Sequence, residues 1–317
     1  MCIIRSNPAI PSTEPIWYQN RCYHLVALQL IPVARQDRAE GAVSSLHGAA
    51  MCRAKGFTLI ELLVVIAIIA ILMGILLPAI GLAKKQATGS RCLSNQRALV
   101  LAWNMYATEH NGKMVYGHTS GPGSWVVLPT AVSDAVSSLE KELIGLKRGA
   151  LYAFAKDTQV YHCPGDNRGK SALAYSSNTG KFLSYRSYSI AAGLNGEEYQ
   201  GLAHWTNLAQ IKDSARKYVF VEDVDPRGYN LGSWCIDRSR SSYRWVDPIA
   251  IWHNKRSTLS FVDGHAEIHS WKDKRTIEIP LDLLNKNNTG VFNPPAQFGN
   301  VDWEYMYQGY TCRNMIQ

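Results

Sequence analysis

The sequence predicts an α+β protein in which a long N-terminal α-helix packs on a C-terminal antiparallel β-sheet. An apolar run at residues 57–82 continues into a helix-periodic segment at 83–110. Short β-type runs bounded by Gly, Pro, Asn and Asp follow later in the chain. The 317 residues are 46% hydrophobic and 18% charged, which is typical of a folded chain with one or two cores.

The apolar run at 57–82 contains a single charged residue, Glu61. At about 1.5 Å per residue, a helix of this length crosses a hydrocarbon core of roughly 30 Å. Arg53 and Lys55 precede the run, which predicts a cytoplasmic N-terminal end and an exported remainder. A carboxylate deep in a membrane costs at least roughly 2.5–3.5 kcal/mol. We therefore expect Glu61 to pair with an amine, from the chain's own new N-terminus or from a neighbouring copy.

The start of this run reads Lys55-Gly56-Phe57-Thr58-Leu59-Ile60-Glu61-Leu62. It resembles the N-terminal signal of type IV pilins and type II secretion pseudopilins. The resemblance implies a pilin-like fold and a prepilin peptidase that cuts after Gly56 and methylates Phe57. Glu61 would take the family's fifth mature position, and Pro78 the kink position in the hydrophobic helix.

This resemblance implies a structural subunit rather than an enzyme. The subunit would assemble into a pseudopilus of a type II secretion system or into a type IV-like pilus. The implied partners are the prepilin peptidase, other pilin or pseudopilin subunits and the inner-membrane assembly platform. The protein would cross the inner membrane once, with its C-terminal domain in the periplasm, and would enter a periplasmic or surface filament.

The net charge of +8 is spread along the chain, since residues 1–56 carry six basic and three acidic side chains and leave +5 for the rest. No dense basic run interleaved with aromatics is present, which argues against nucleic acid as a partner. Met51 to Gly56 would form a complete short leader, so either translation begins at Met51 or a long leader is removed. The chain divides into four parts. They are a leader at 1–56, a membrane and assembly helix at 57–82, the exposed continuation of that helix at 83–110 and a globular domain at 111–317.

One helix from Phe57 to about His110 would be about 80 Å long. Its second half is predicted from apolar residues at helical spacing: Leu93, Leu99, Ala102, Met105 and Tyr106. Polar residues lie between them, among them Gln96. The alternative is two helices broken near Pro78 and Gly81. A second amphipathic helix is predicted from Val136, Leu139, Leu143 and Leu146, with Ser137 and Glu140 at capping-box spacing.

Five strands are predicted: Gln159–His162, Ser187–Ala191, Lys217–Val221, Thr258–Val262 and His265–Ser270. Asp263-Gly264 between the last two predicts a two-residue type I′ hairpin turn, with positive φ at both positions. His253, nine further residues and then Asp263-Gly264 resemble the C-terminal signature of a pseudopilin-like family abundant in planctomycete and related bacteria. We interpret this motif as a structural turn. The blocks Cys92 to Gln96 and Tyr161 to Asp166 are similar to the same family.

Four cysteines follow the expected cut: Cys92, Cys163, Cys235 and Cys312. An oxidising compartment permits two disulfides in three pairings, and free buried thiols are the alternative. We favour Cys92 with Cys163, because this bridge would clamp the globular domain to its helical spine. Such a bridge is worth roughly 2–4 kcal/mol.

Two polar clusters are candidate metal sites. His265, Glu267 and His269 share one strand face, but a solvated polar face produces the same pattern. Glu222, Asp223 and Asp225 offer hard oxygen ligands for calcium, but a polar turn explains them equally well. No nucleophile elbow, phosphate loop or zincin helix is present. The sequence therefore predicts neither a cofactor nor a catalytic residue.

The globular domain 111–317 contains seven tryptophans, which either lie in the core or form an exposed surface for partner contacts: Trp125, Trp205, Trp234, Trp245, Trp252, Trp271 and Trp303. Such a surface would favour a second function, a membrane-tethered binding protein, for example for glycans, that uses the pilin signal for export. A tethered enzyme is the third alternative.

Overall fold

The computed structural model describes residues 58–317 except 129–137, 167, 169–175, 178–179, 182–184, 197–203, 225–232, 238–241, 286–293 and 311–317. Several predicted features lie outside the described residues: the leader 1–56, Phe57, Val136, Ser137, Asp225 and Cys312. The α-helices of the described part are α1 Leu59–Glu109, α2 Ser138–Arg148, α3 Lys274–Asn285 and α4 Val301–Gly309.

Helix α1 is a single helix of 51 residues with Pro78 inside it. The one-helix prediction is therefore confirmed against a break near Pro78 and Gly81. The helix ends where the sequence predicts, because Asn111 and Gly112 both adopt positive φ, 56° and 79°. The Gly112 N–H closes the helix end by donating to the carbonyl of Ala107 at 2.7 Å.

From Thr88 onward α1 packs on the rest of the protein. Its buried residues are Gly89, Cys92, Asn95, Gln96, Leu99, Val100, Ala102, Trp103 and Ala107. Leu99 and Ala102 were predicted to lie on this face. The prediction that Met105 lies on this face is wrong, because its side chain is 46% exposed. The sequence pattern predicts Gln96 among the outer polar residues, but Gln96 is fully buried and its Nε2 donates to the Thr258 carbonyl at 2.9 Å.

The sheet that receives α1 has four antiparallel strands in the order β3-β4-β5-β6. They are β3 Tyr188–Ile190, β4 Tyr218–Glu222, β5 Arg256–Phe261 and β6 Ala266–Ser270. A separate pair, β1 Ser176–Ser177 and β2 Gly180–Lys181, is also antiparallel. The predicted α+β architecture is confirmed. Helix α1 packs against β4, β5 and β6 of the larger sheet.

Four of the five predicted strands coincide with β3 to β6, and the fifth is wrong. The segment predicted at Gln159–His162 is a 3₁₀ turn, Thr158–Tyr161. Asp157 explains the difference, because its carboxylate accepts from the Gln159 N–H at 2.9 Å and starts the turn. An acidic cap overrides the β preference of the residues that follow.

The β5–β6 hairpin is confirmed, but its turn is not type I′. Gly264 has a φ of +95°, whereas Asp263 is absent from the residues with positive φ. The Gly264 N–H donates to the Phe261 carbonyl, and the Phe261 N–H donates to the His265 carbonyl, both at 2.9 Å. This is the pattern of a three-residue loop, in which a type I turn is followed by one left-handed glycine. Asp263 Oδ1 caps the loop by accepting from the His265 N–H at 3.1 Å.

Candidate functional site

Residues 59–82 of α1 form an exposed apolar rod. All of residues 58–87 are solvent-exposed, so no side chain of the rod is buried within the protein. Among the described residues this is the one helix with the length and composition to cross a membrane. Its surface is apolar on every side rather than along one stripe. Such a surface requires a covering of lipid or of other apolar helices.

Glu61 has a partner within its own chain. Its Oε2 accepts from the Thr58 N–H at 2.8 Å and from Thr58 Oγ1 at 2.9 Å. Its own N–H donates back to Thr58 Oγ1 at 3.3 Å. This reciprocal pair is a capping box at the start of α1. Sequence reasoning missed it, although Thr-x-x-Glu before an apolar run is its signal.

A second site lies where α1 meets the sheet. Cys92 of α1, Cys163, Glu222 of β4 and His253 are all buried, and their ligand-type atoms lie within 4.8 Å of one another. The two Sγ atoms are 2.7 Å apart, and both cysteines are thiols in the structure. His253 Nε2 lies 2.9 Å from Glu222 Oε1 and 3.4 Å from Cys163 Sγ. The fold thus brings together Cys92 and Cys163, the pair favoured for a disulfide, and that disulfide remains a prediction.

Further contacts fix the orientation of this cluster. Glu222 Oε1 accepts from Thr258 Oγ1 at 2.8 Å, and Oε2 accepts from the Thr258 N–H at 3.1 Å. A Cβ at Gly165 would come within 3.1 Å of His253 Cε1, and one at Gly89 within 3.4 Å of His253 Cγ. The Cys163 loop therefore approaches the imidazole more tightly than a side chain at Gly165 would allow without a small shift, whereas α1 lies at ordinary van der Waals distance from it at Gly89.

The cluster has the residue types of a thiol enzyme but not the geometry. Cys163 and Glu222 both approach the same nitrogen of His253, so the imidazole cannot accept a proton from the thiol on one nitrogen while the carboxylate orients the other. All four side chains are also shielded from solvent and substrate. The arrangement is suited to binding a cation or to holding structure together.

The electrostatics of the cluster favour a positive charge at His253. Burial opposes that charge, but hydrogen bonds to Cys92 and Glu222 and attraction to their negative charges raise the pKa of His253 to about 10. Burial raises the pKa of the Cys163 thiol well above its ordinary value, and the neighbouring Cys92 and Glu222 act in the same direction.

The His253 to Gly264 motif is divided between two places. His253 is buried in the cluster just before β5, whereas Asp263 and Gly264 form the turn just after it. The nine-residue spacing thus spans one strand. The interpretation of the motif as a structural turn applies to Asp263 and Gly264, and His253 lies outside that turn.

The two polar clusters of the sequence do not form compact sites in the described residues. Two members of the first cluster are neighbours, since His269 Nδ1 lies 3.8 Å from Glu267 Oε1, but His265 Nδ1 pairs instead with Asp263 Oδ1 at 2.6 Å. Glu267 also accepts from the Tyr305 hydroxyl at 2.7 Å, and His269 stacks on the same ring with the centroids 3.9 Å apart.

Glu222 and Asp223 do not lie in a solvated acidic turn, because both are buried. Glu222 belongs to the cysteine–histidine cluster, and Asp223 Oδ2 accepts from Ser189 Oγ at 3.0 Å. Their third predicted member, Asp225, lies outside the described residues.

An apolar helix that is exposed in its first half and packed on an antiparallel sheet in its second half defines a pilin-like protein. The model of the prokaryotic N-terminal methylation motif matches residues 51–77. The chain is thus type IV pilin-like and carries a prepilin signal. It is 46% identical over 61 residues to the type IV wide pilus major component PilA4 of Thermus thermophilus.

That match covers 19% of this chain and 47% of PilA4, so it spans about half the length of the relative. It relates this chain to a pilus component rather than to an enzyme. No solved structure matches the chain.

Proposed function

We propose that this protein is a prepilin-like structural subunit that is cleaved after Gly56, methylated at Phe57 and assembled through α1. The observation that carries the proposal is the exposed rod of 59–82, which overlaps the methylation motif at 51–77 and is continuous with a packed second half. A rod with apolar residues on every side fits lipid before assembly and a bundle of identical rods after it.

The partners and the location follow from this role. The peptidase would act on the cytoplasmic side, where Arg53 and Lys55 hold the leader. The exported domain would lie in the periplasm, and the assembly platform of the inner membrane would add subunits to a pseudopilus or a type IV-like pilus. Electron microscopy and shearing of cells that express a tagged copy distinguish a surface pilus from a periplasmic filament.

The glycan-binding alternative lacks the aromatic surface that motivated it. Among the seven tryptophans considered, Trp205 alone is more than 8% exposed, and the others lie in the core. The described part of the chain therefore offers no row of exposed tryptophan rings for a sugar.

Processing gives the first test. Gly56→Asp should block cleavage, because a charged side chain would stand beside the scissile bond. Intact mass and N-terminal peptide analysis should find N-methylated Phe57 in the wild type and the full leader in the variant. A wild-type chain that starts elsewhere, or that keeps Gly56, contradicts the proposal.

Assembly gives the second test, and it depends on Glu61. We expect its carboxylate to neutralise the N-terminal ammonium of Phe57 in an adjacent subunit, because two charges in an apolar bundle are costly when unpaired. Glu61→Val should be inserted and cleaved normally but should be lost from filaments. The measurement is the incorporation of tagged mutant chains when they are co-expressed with wild type.

The capping box requires matched variants, because Glu61→Val removes the cap and the charge together. Glu61→Gln retains a side chain that can accept from Thr58, as glutamine also forms capping boxes, but removes the charge. Thr58→Ala removes the hydroxyl and keeps the charge. We expect Glu61→Gln to fail in incorporation and Thr58→Ala to succeed. The reverse result would assign Glu61 to helix capping and remove its role between subunits.

A further inference from the structure

The buried cluster joins four separate parts of the chain. Cys92 comes from α1, Cys163 from the loop after the 3₁₀ turn Thr158–Tyr161, Glu222 from the end of β4 and His253 from the approach to β5. All four are 0% exposed. We propose that these four side chains bind one zinc ion, which ties the helix to the globular domain. The inference goes beyond the proposed function and is independent of filament assembly.

The donor set fits zinc in type and in number. Two thiolates, an imidazole nitrogen and a carboxylate oxygen make a closed four-ligand site of the structural kind. Calcium, by contrast, takes six to eight oxygen ligands, and this cluster offers one carboxylate. Magnesium also prefers oxygen and usually keeps several waters, for which a fully buried cluster of sulfur and nitrogen donors is unsuited.

The spacing of the donors is close to that of a tetrahedral site. Zinc–ligand bonds of about 2.0–2.3 Å give ligand–ligand separations of about 3.3–3.8 Å. The nitrogen–oxygen and sulfur–nitrogen distances, 2.9 Å and 3.4 Å, need to change by only about half an ångström or less. The two sulfurs, now 2.7 Å apart, must separate by about 1 Å to reach such a geometry.

The surroundings orient His253 as a ligand. Thr88 Oγ1 donates to the Lys85 carbonyl at 2.9 Å, so toward His253 Nδ1, 3.3 Å away, it is an acceptor. Nδ1 therefore donates to Thr88, and Nε2 is the nitrogen that faces the cluster. A second shell of this kind is what fixes the tautomer of a metal-binding histidine.

His253 Nε2 and Glu222 Oε1, 2.9 Å apart, hold a cation between them, which is the imidazolium proton in the metal-free protein and the metal ion in the loaded one. A proton satisfies this pair alone. A divalent cation contacts the pair and both sulfurs together, and it offsets two of the three negative charges that the deprotonated ligands would carry in the buried site. Thr258 supports the same arrangement by donating to both oxygens of Glu222.

A Cys92–Cys163 disulfide would use the same two sulfurs and exclude the metal. It would leave His253 and Glu222 as a closed ion pair with no further ligand. The two arrangements are therefore mutually exclusive and can be distinguished by metal content together with thiol state.

The first experiment uses the full chain, purified from membranes in detergent without chelator. Elemental analysis should find about one zinc per chain, and alkylation should reach Cys92 and Cys163 only after the metal is removed. Cobalt substitution of the wild type should produce thiolate-to-cobalt charge-transfer absorption. A metal-free chain with Cys92 linked to Cys163 in non-reducing peptide maps would overturn the proposal. So would a reduced chain that binds no added zinc chloride.

Variants assign the ligands. Cys92→Ser and His253→Gln should lose the zinc, whereas Cys235→Ser is the matched control, because Cys235 is equally buried but its Sγ donates to the Ser233 carbonyl at 3.7 Å. Thr258→Val keeps the shape of the side chain and should weaken zinc binding by roughly 10–100-fold. Unchanged zinc content in Cys92→Ser or His253→Gln would overturn the assignment. The cobalt spectrum of the wild type tests the site even where a variant fails to fold.

Discussion

The two halves of α1 share one helix but differ in what covers them. Residues 58–87 are exposed throughout, whereas Thr88 to Glu109 bury a stripe of side chains at helical spacing. A helix that is apolar on all sides selects no single partner face and needs a surrounding medium. A helix with one buried stripe selects one partner, which here is the sheet. The comparison shows that helical geometry alone does not assign a helix its role.

The packed half is defined by its amides as much as by its apolar side chains. Asn95 Nδ2 donates to the carbonyls of Gln159 and His162, at 3.3 Å and 2.9 Å. Gln96 and Asn104 reach the carbonyls of Thr258 and Val262 in the same way. Each of these contacts pairs an amide N–H with a backbone carbonyl of the domain, so together they fix how the helix lies on it.

The largest expected difference between the halves comes from truncating one large side chain in each. Trp103 is fully buried, and Trp103→Ala should lower the free energy of unfolding by about 3–5 kcal/mol. Leu72 is 61% exposed, and Leu72→Ala should change domain stability by less than about 0.5 kcal/mol. Denaturant unfolding of the full chain in detergent, followed by circular dichroism, measures both. Equal losses would show that the halves are not energetically distinct.

A rise in pH should destabilise the globular domain on which the second half of α1 packs. Burial raises the pKa of Glu142 on α2 from 4.5 to about 8, against the opposing effects of the Tyr185 N–H and of Arg168 and Arg186. At a pH between these two pKa values, Glu142 is protonated in the folded chain and ionised in the unfolded chain, so the unfolded chain binds fewer protons. The free energy of unfolding should therefore fall as pH rises from about 4.5 to about 8, by an amount on the order of a few kcal/mol.

Glu142→Gln is the control for this pH dependence. It keeps an acceptor for the Tyr185 N–H, which now donates to Glu142 Oε2 at 2.7 Å, and it cannot ionise. Its stability should vary less with pH over this window and should exceed that of the wild type near pH 8. A wild-type stability that is flat between pH 5 and pH 8 would mean that Glu142 ionises normally.

The smallest difference concerns a glycine in each region. Gly264→Val places a β-branched residue at a φ of +95° in the hairpin that receives α1, which should cost about 1–3 kcal/mol. Gly74 of the exposed half has no atom within 4 Å of an added Cβ, so Gly74→Ala should leave the domain unchanged. The melting temperature of each variant measures the effect. An unchanged value for Gly264→Val would revive a functional interpretation of the Asp263-Gly264 motif.

Local signals made much of the fold predictable. The length of α1, its end near His110 and the β5–β6 hairpin all follow from residues adjacent in the chain. The capping box of Thr58 and Glu61 was equally local and was missed because Glu61 was considered only as a membrane charge. The error at Gln159–His162 was also local, because Asp157 favours a 3₁₀ turn there.

The sequence by itself determined the apolar rod, the prepilin-type signal and the turn at Gly264, because each depends on residues within one or two helical turns or one hairpin. Only the tertiary structure decided the buried cluster. Cys92 and Cys163 are 71 residues apart, and His253 is 31 residues beyond Glu222. Their meeting depends on how α1 lies across β4 and β5. No periodicity in a single segment specifies that position, because it is set by the packing of the whole domain.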